Sequence, residues 1–214
     1  MAIVDGPGGK YATQRARSIT MFSLIGSLVV LWADGFLMGI SFRSGSPMLS
    51  IMAGTLLLVL GASFFALIRK ADRKYAWWKK GAEGEKAVAE ELKTLSDDYY
   101  VVNDFDTGYG NIDHIVVGPT GIFAVETKNW AGTVSESDDG EFLLNGKPTS
   151  KREVKGFMNR IGGLKDVLMS AIDESPFICG VFAFASLQTP PRLTKTPTLD
   201  TTSVKGIVAY VEKE

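Results

Sequence analysis

The stretch that decides the fold of this chain is residues 110–132, which read GNIDHIVVGPTGIFAVETKNWAG. Two runs rich in β-forming residues, 112–117 and 122–128, flank the sequence Gly-Pro-Thr-Gly at 118–121. Proline in the second position and glycine in the fourth suit a type I turn. The stretch therefore predicts a β-hairpin.

The turn also sets the register of this hairpin. If residues 118–121 form the turn, Val117 pairs with Ile122, and Asp113 then lies directly opposite Glu126. Directly opposed residues share one face of a sheet, with Cβ atoms about 4.5–5.5 Å apart. Residues two apart on one strand also share a face. Asp113, Glu126 and Lys128 are therefore predicted to converge on one patch.

The two opposed carboxylates suggest a metal site. Like charges directly opposite one another destabilise a sheet, so Asp113 and Glu126 need a compensating partner. A hard divalent cation such as Mg²⁺ (or Mn²⁺) binds carboxylates, polarises phosphoryl oxygens and lowers the pKa of a bound water. Lys128 could then orient that water or stabilise charge on a phosphate. The alternative is a plain ion-pair cluster in which Lys128 bridges the two acids.

A helix is predicted before the hairpin, from Gly84 to Ser96. Its apolar residues Val88, Leu92 and Leu95 recur at helical spacing and form one stripe. Glu85 lies on the same stripe, so it is a candidate for a further carboxylate at the edge of the patch. It could instead simply favour the dipole at the helix N-terminus.

The remaining soluble segments complete an α/β pattern. His114 is the single histidine; it faces away from the patch and is interpreted as a core residue. Cys179 is the single cysteine, so no intrachain disulfide can form, and it is interpreted as a buried residue. The other predicted elements are a strand at 99–102, a small hairpin from 133–134 to 142–144, a helix at 151–172, a buried strand at 177–185, a loop at 189–202 and a last strand at 204–211.

The N-terminal third has a different character. Residues 18–33 and 48–68 contain no charged residue, and a helix needs about 20 apolar residues to cross a bilayer. We predict two antiparallel transmembrane helices, at 19–41 and 48–68. Asp34 falls inside the first, where it either reaches the outer interface, pairs with Arg43, or marks an ion site.

The charge distribution gives the orientation. Residues 1–80 carry ten Lys/Arg and three Asp/Glu, whereas residues 81–214 carry thirteen and twenty-one. Basic residues flank the two spans on their outer sides, and only Arg43 lies between them. By the positive-inside rule, this predicts a multi-pass protein of the cell inner (plasma) membrane, with both termini and the soluble domain in the cytoplasm. The predicted parts are a cytoplasmic segment at 1–18, the spans within 19–68, a basic juxtamembrane link at 69–80 and a globular domain at 81–214.

Basic residues of the predicted 151–172 helix form a candidate strip for nucleic-acid phosphates. The alternative is an ordinary solvated face, since the 81–214 part is acidic overall. The members of the strip are Lys151, Arg152, Lys155, Arg160 and Lys165.

The motifs Gly84-Glu85-Lys86-x-Val88, 110–123 and Val125-Glu126-Thr127-Lys128-Asn129-Trp130-x-Gly132 resemble the nuclease-related domain (NERD) family of the PD-(D/E)XK nuclease superfamily. The resemblance covers roughly residues 81–185. It implies a restriction-endonuclease-like core, a mixed sheet flanked by helices, with Asp113 and Glu126 as metal ligands, Lys128 as the catalytic lysine and Glu85 as the helical acid. It departs at Gly156, where the family pattern leads us to expect a glutamine.

The function expected from the resemblance is that of a membrane-anchored, Mg²⁺-dependent nuclease-like hydrolase. It would hydrolyse phosphodiester bonds in nucleic acid, DNA rather than RNA, on the cytoplasmic side of a lipid bilayer. The alternative is a non-catalytic module of the same fold, anchored in the membrane, that binds nucleic acid or a protein. Gly156 and the acidic charge favour this alternative, whereas the complete set of Asp113, Glu126 and Lys128 favours the enzyme.

Overall fold

The computed structural model describes residues 1–6, 10–45 and 47–213. The chain divides into two compact units, one made of Met1–Tyr11 with Lys80–Glu214 and the other of Ala12–Lys79. The side chain of Asp34 lies outside the described residues, so the expectation for it stays a prediction.

The second unit is helical. Helix α1 runs from Lys10 to Ser44 and helix α2 begins at Pro47. Gly45 follows α1 with a φ of 61°, the left-handed conformation in which helices often end, and proline suits a first helical position. Each helix contains a stretch long and apolar enough to cross a membrane, and almost none of the described residues of either stretch are buried. These helices therefore resemble membrane spans in length and composition.

Helix α2 is longer than the sequence predicted. It continues from Pro47 to Leu92, so the expected juxtamembrane link at 69–80 and most of the separate helix expected at 84–96 are parts of one helix, which ends four residues before Ser96. An isolated glycine costs a helix only about 1 kcal/mol, and no proline occurs between residues 48 and 92, so nothing breaks the helix. Gly84 has a packing reason, because a Cβ there would lie 2.8 Å from Cβ of Asn129.

The first unit is built on a mixed six-stranded sheet in the order β1-β2-β3-β4-β8-β9. Strands β2, β3 and β4 pair antiparallel, and β1, β8 and β9 each run parallel to their neighbours. A small sheet of β5, β6 and β7 lies beside helix α3. The bounds are β1 Ile3–Asp5, β2 Tyr100–Asp106, β3 Asn111–Gly118, β4 Gly121–Lys128, β5 Val134–Glu136, β6 Phe142–Leu144, β7 Lys147–Pro148, α3 Glu153–Ile172, β8 Ile178–Phe184, β9 Leu199–Ser203 and α4 Ile207–Lys213.

Helices cover both faces of the large sheet. Phe157 and Leu164 of α3 pack in one apolar cluster, and Leu92 of α2 packs with Ile207 and Val211 of α4 in the other. Because side chains alternate along a strand, the neighbours Ala124 and Val125 of β4 belong to opposite clusters. The structure therefore confirms the predicted mixed α/β core flanked by helices.

The register of the β3–β4 hairpin is the predicted one. Val117 pairs with Ile122 and His114 pairs with Val125, and the two-residue turn is Pro119-Thr120. The backbone pairing ends at His114 and Val125, one residue before Asp113 and Glu126.

Strand β1 was not predicted. The segment 1–18 was expected to be a plain cytoplasmic extension, but Ile3–Asp5 adds a parallel strand beside β2. The N–H of Ile3 donates to the carbonyl of Tyr99 at 3.0 Å, and Val4 packs on the core. Three residues carry too little periodicity to signal a strand, and this one forms because the edge of β2 offers unpaired backbone groups.

The last predicted strand is wrong. Residues 204–211 form a short 3₁₀ turn, Val204–Gly206, followed by α4, and the parallel strand β9 begins inside the predicted 189–202 loop and ends one residue after it. Val204, Ile207, Val208 and Val211 have the spacing of a helix face, and Ile207 and Val211 are fully buried. The β-branched residues favoured a strand, but the helical period of burial prevailed.

Candidate active site

The predicted patch exists at the end of the hairpin. Nζ of Lys128 donates a hydrogen bond to Oε1 of Glu126 at 2.9 Å, and both side chains are buried. The backbone N–H of Thr127 donates to Oδ2 of Asp113 at 2.7 Å. The carboxylate of Asp113 thus bonds β4 at the point where the backbone pairing of the two strands stops.

Glu85 also belongs to this site. Burial, followed by repulsion from Asp104 and Glu126, raises the pKa of Glu85 to about 7. Burial, with repulsion from Glu126 and Glu85, raises the pKa of Asp113 well above its usual value. The structure therefore brings all three predicted acids within electrostatic range of one another.

Asp104 is a further acid that the sequence analysis missed. Its neighbours on β2 pair with β3 as Asn103 with His114 and Phe105 with Ile112, so the register places Asp104 opposite Asp113. Its φ of 56° is left-handed and interrupts the pairing at this position. The register would have identified Asp104 only if the predicted strand had been extended beyond residue 102.

Two cations compensate Glu126. Burial alone would raise the pKa of this carboxyl, but attraction to Lys128 and Arg160 outweighs it and lowers the pKa. Nη2 of Arg160 forms an ion pair with Oε1 of Glu126 at 2.8 Å. The second oxygen of Glu126, Oε2, is buried without a hydrogen-bond partner.

Arg160 reaches Glu126 past a glycine. The side chain is only 17% exposed, so it does not belong to a solvent-facing strip as predicted. A Cβ on Gly110, whose φ is 117°, would meet Cδ of Arg160 at 3.3 Å. Gly156, where a glutamine was expected, lies one helical turn before Arg160, and a Cβ there would be 3.6 Å from Nη1.

Glu153 was also missed. It is the first residue of α3, and Oε2 accepts a second hydrogen bond from Nζ of Lys128 at 2.8 Å. Burial would lower the pKa of Lys128, but attraction to Glu126 and Glu153 raises it, so the ammonium stays charged. In the sequence, Glu153 offers only the signal of an acid in the first turn of a helix.

His114 is a core residue, as predicted. It is completely buried, and Nδ1 lies 2.6 Å from Oδ1 of Asn103. Nε2 lies 3.3 Å from Oγ1 of Thr127. Burial lowers the pKa of His114 to about 4, so the ring is neutral at physiological pH.

The carboxylates of this site suit a hard divalent cation that keeps part of its water shell. Among residues 1–6, 10–45 and 47–213, no three His, Cys, Asp or Glu side chains are arranged as a metal site. Mg²⁺, however, is usually bound by one or two carboxylates and keeps several waters. The unpartnered Oε2 of Glu126 and the mutual repulsion of the acids are features that a bound cation would compensate.

Comparison with known proteins gives three results. Residues 80–184 match the family model described as the nuclease-related domain. An uncharacterized protein of Bacillus anthracis is 39% identical over 87 residues, which are 38% of this chain and 41% of the relative. The match thus spans about two fifths of that relative's length. No solved structure matches the chain.

Proposed function

Residues 80–184 belong to the nuclease-related domain family, and from this premise we propose that the chain is a membrane-anchored, divalent-metal-dependent nuclease. It hydrolyses phosphodiester bonds, adding water across a P–O bond to leave a phosphate monoester and a hydroxyl group. The observation that carries the proposal is the convergence of Glu85, Asp113 and Glu126 with the charged Lys128 in one site, in which Glu126 and Lys128 are buried.

Asp113 and Glu126 are the proposed ligands of Mg²⁺ or Mn²⁺. When bound, such a cation supplies a Lewis acid for the phosphoryl oxygen and lowers the pKa of a water. The Thr127 N–H holds the Asp113 carboxylate at 2.7 Å, and Lys128 and Arg160 hold one oxygen of Glu126. These contacts leave Oε2 of Glu126 for the cation.

Lys128 and Glu85 have the remaining proposed roles. The Lys128 ammonium stabilises the charge that develops on the phosphate and orients the attacking water, because a fixed donor in a buried site costs no reorganisation. Glu85, whose pKa is raised to about 7, titrates near physiological pH and is the proposed acceptor of a proton from that water.

The proposed substrate is DNA rather than RNA. The residue types suit a phosphodiester in either polymer, and the family description supports a nucleic acid. Lys151, Arg152, Lys155 and Lys165 are exposed on or just before α3 and offer the positive charge that phosphates require. Arg160, which points to Glu126, is not part of this strip.

The proposed location is the cytoplasmic face of the cell inner membrane. The two uncharged stretches, 18–33 and 48–68, lie between β1 and residue 80 in sequence, whereas β1 belongs to the same unit as 80–214. Two membrane crossings would leave β1 and residues 80–214 on the same side of the membrane. The positive-inside rule favours the cytoplasm for both ends of the chain. The spans then anchor the domain in the lipid bilayer.

A non-catalytic binding module is the second candidate. One observation favours it, because Nζ of Lys128 is occupied by two carboxylates at 2.9 and 2.8 Å. A lysine neutralised in this way is available to a phosphate only if one of these ion pairs opens. In this case the domain would bind nucleic acid or a protein at the membrane without hydrolysing it.

The deciding experiment measures cleavage by the full chain in detergent. Plasmid, linear and single-stranded DNA and RNA are incubated with Mg²⁺ or Mn²⁺, beside Lys128→Ala and a matched Lys213→Ala variant. We expect cleavage by wild type and Lys213→Ala that is lost in Lys128→Ala and with chelator. Equal traces for wild type and Lys128→Ala, with DNA binding retained, would leave the binding module as the function.

A further inference from the structure

A chain of four hydrogen bonds connects the N-terminal strand to the candidate active site. Nδ2 of Asn103 donates to the carbonyl of Gly6 at 2.7 Å, and Oδ1 of Asn103 lies 2.6 Å from Nδ1 of His114. Nε2 of His114 lies 3.3 Å from Oγ1 of Thr127, whose N–H donates to Asp113 at 2.7 Å. Gly6 directly follows β1.

The donor and acceptor of every hydrogen bond in this series follow from the first bond, between Asn103 and Gly6. A backbone carbonyl only accepts, so the amide NH₂ of Asn103 must face Gly6 and its oxygen must face His114. The oxygen only accepts, so Nδ1 of the neutral ring carries the proton. Nε2 is then an acceptor, and the hydroxyl of Thr127 must donate to it.

Without the Gly6 carbonyl, none of the other hydrogen bonds in the series fixes which group donates and which accepts. The Asn103 amide could rotate by 180° and donate to Nδ1, so the proton would move to Nε2 and the Thr127 hydroxyl would accept. Both arrangements satisfy the buried ring equally well. The docked strand β1 is therefore the element that selects between them.

Thr127 is the residue through which this choice reaches the site. It lies between Glu126 and Lys128 on β4 and is itself buried. Its hydroxyl bonds His114 on one side and its N–H bonds Asp113 on the other. Partners of this kind orient ligating carboxylates, and their loss commonly weakens metal binding 10–100-fold.

We propose that β1, Asn103 and His114 are positioning parts of the active site, with β1 setting the His114 tautomer and hence the direction of the hydrogen bond between His114 and the hydroxyl of Thr127, the residue whose N–H holds Asp113. The tautomer is independent of the proposed nuclease activity, whereas its effect on metal binding rests on that function. The docking of β1 is separable from the core, because the strand has only three residues and Ile3 is 60% exposed.

The single histidine makes the tautomer directly measurable. Full-length chain labelled with ¹⁵N-histidine gives one pair of ring nitrogen signals, whose shifts distinguish a protonated Nδ1 from a protonated Nε2. We expect a protonated Nδ1 in wild type. Val4→Asp places a charge on the core side of β1 and should undock it, whereas Ile3→Asp places the same charge on the exposed side and serves as the matched control.

The expected result is a mixture of the two tautomers in Val4→Asp and retention of the protonated Nδ1 form in Ile3→Asp. Asn103→Leu, which removes the acceptor for Nδ1, should shift the proton to Nε2 even if Val4→Asp proves too unstable to study. A ring that is still protonated entirely at Nδ1 in Asn103→Leu, or in folded Val4→Asp, would overturn the proposal.

Titration with Mn²⁺ gives the second readout. We expect affinity roughly tenfold weaker in Val4→Asp and Asn103→Leu than in wild type and Ile3→Asp. Tautomer changes with unchanged Mn²⁺ affinity would overturn the positioning role. If wild type itself binds no Mn²⁺ and cleaves nothing, the proposed function fails, and the tautomer measurement alone decides whether β1 controls His114.

Discussion

The backbone N–H of Thr127 donates a 2.7 Å hydrogen bond to Oδ2 of Asp113, at the point where β3 and β4 stop pairing through their backbones. A hydrogen bond to a carboxylate favours its charged form, but burial and the neighbouring Glu126 and Glu85 outweigh it and raise the pKa of Asp113. The site therefore holds more negative charge than Lys128 and Arg160 compensate. This excess gives the structure its testable consequences.

Removing the Asp113 charge should not harm the fold. Asp113→Asn keeps an acceptor for the Thr127 N–H and removes the repulsion, so the metal-free variant should be as stable as wild type, or up to about 1 kcal/mol more stable. Millimolar Mg²⁺ or Mn²⁺ should raise the melting temperature of wild type and raise that of Asp113→Asn much less, because ligands stabilise the state that binds them. Melting curves of both proteins with and without metal provide the measurement.

The ion-pair interpretation makes the opposite forecast for the same curves. If Asp113 only serves a structural ion-pair cluster, Asp113→Asn melts earlier and metal changes neither curve. That pair of results would remove the metal site from the proposal.

Glu85 should make the stability of the metal-free protein depend on pH. Its pKa rises from 4.5 to about 7 on folding, so the folded state favours the protonated form. Wild type should then lose stability relative to Glu85→Gln as pH increases from about 5 to 7, with little further change above. Unfolding at several pH values, with chelator present, tests this. A constant difference between the two proteins across this range would contradict it.

Lys128 should be essential for stability as well as for the proposed hydrolysis. Lys128→Met leaves Glu126 and Glu153 buried without their shared cation, and breaking a buried ion pair in this way costs about 3–5 kcal/mol. Lys213→Met, at an exposed position of α4, should change stability little. Denaturant unfolding of the two variants gives the comparison, and equal stabilities would show that the Lys128 ion pairs contribute nothing.

Arg160 should hold the pKa of Glu126 down. Arg160→Met removes one of the two cations that lie beside Glu126, so the pKa of Glu126 should rise. The charged form of Glu126 contributes stability that is lost as the pH falls through this pKa, so the variant should unfold at a higher pH than wild type on acidification. Lys165→Met changes an exposed cation of the same helix and is the control. Acid unfolding midpoints that coincide for the two variants would indicate that Arg160 does not act on Glu126.

The topology is testable in intact cells. Tags at residues 1 and 214 should both resist protease added from outside, because basic residues flank the outer sides of the two predicted spans and β1 joins the 80–214 unit. Digestion of the C-terminal tag alone would reverse the proposed orientation.

The sequence alone determined the local parts of this protein. The Gly-Pro-Thr-Gly turn and the flanking β-formers were enough to predict the hairpin and its register, and hence the meeting of Asp113, Glu126 and Lys128. The uncharged stretches of α1 and α2 were equally visible. These features depend on residues close together in the chain, whose period and turn chemistry act without help from the rest of the fold.

Only the tertiary structure decided the contacts that surround the hairpin. Glu153 lies 25 residues from Lys128 in the chain, and Gly6 lies 97 residues from Asn103. No local pattern encodes such contacts, because they form when α3 and β1 pack against the completed sheet. The same holds for residues 204–211, where burial of Ile207 and Val211 against the sheet favours a helix over the strand that their β-branched side chains suggest.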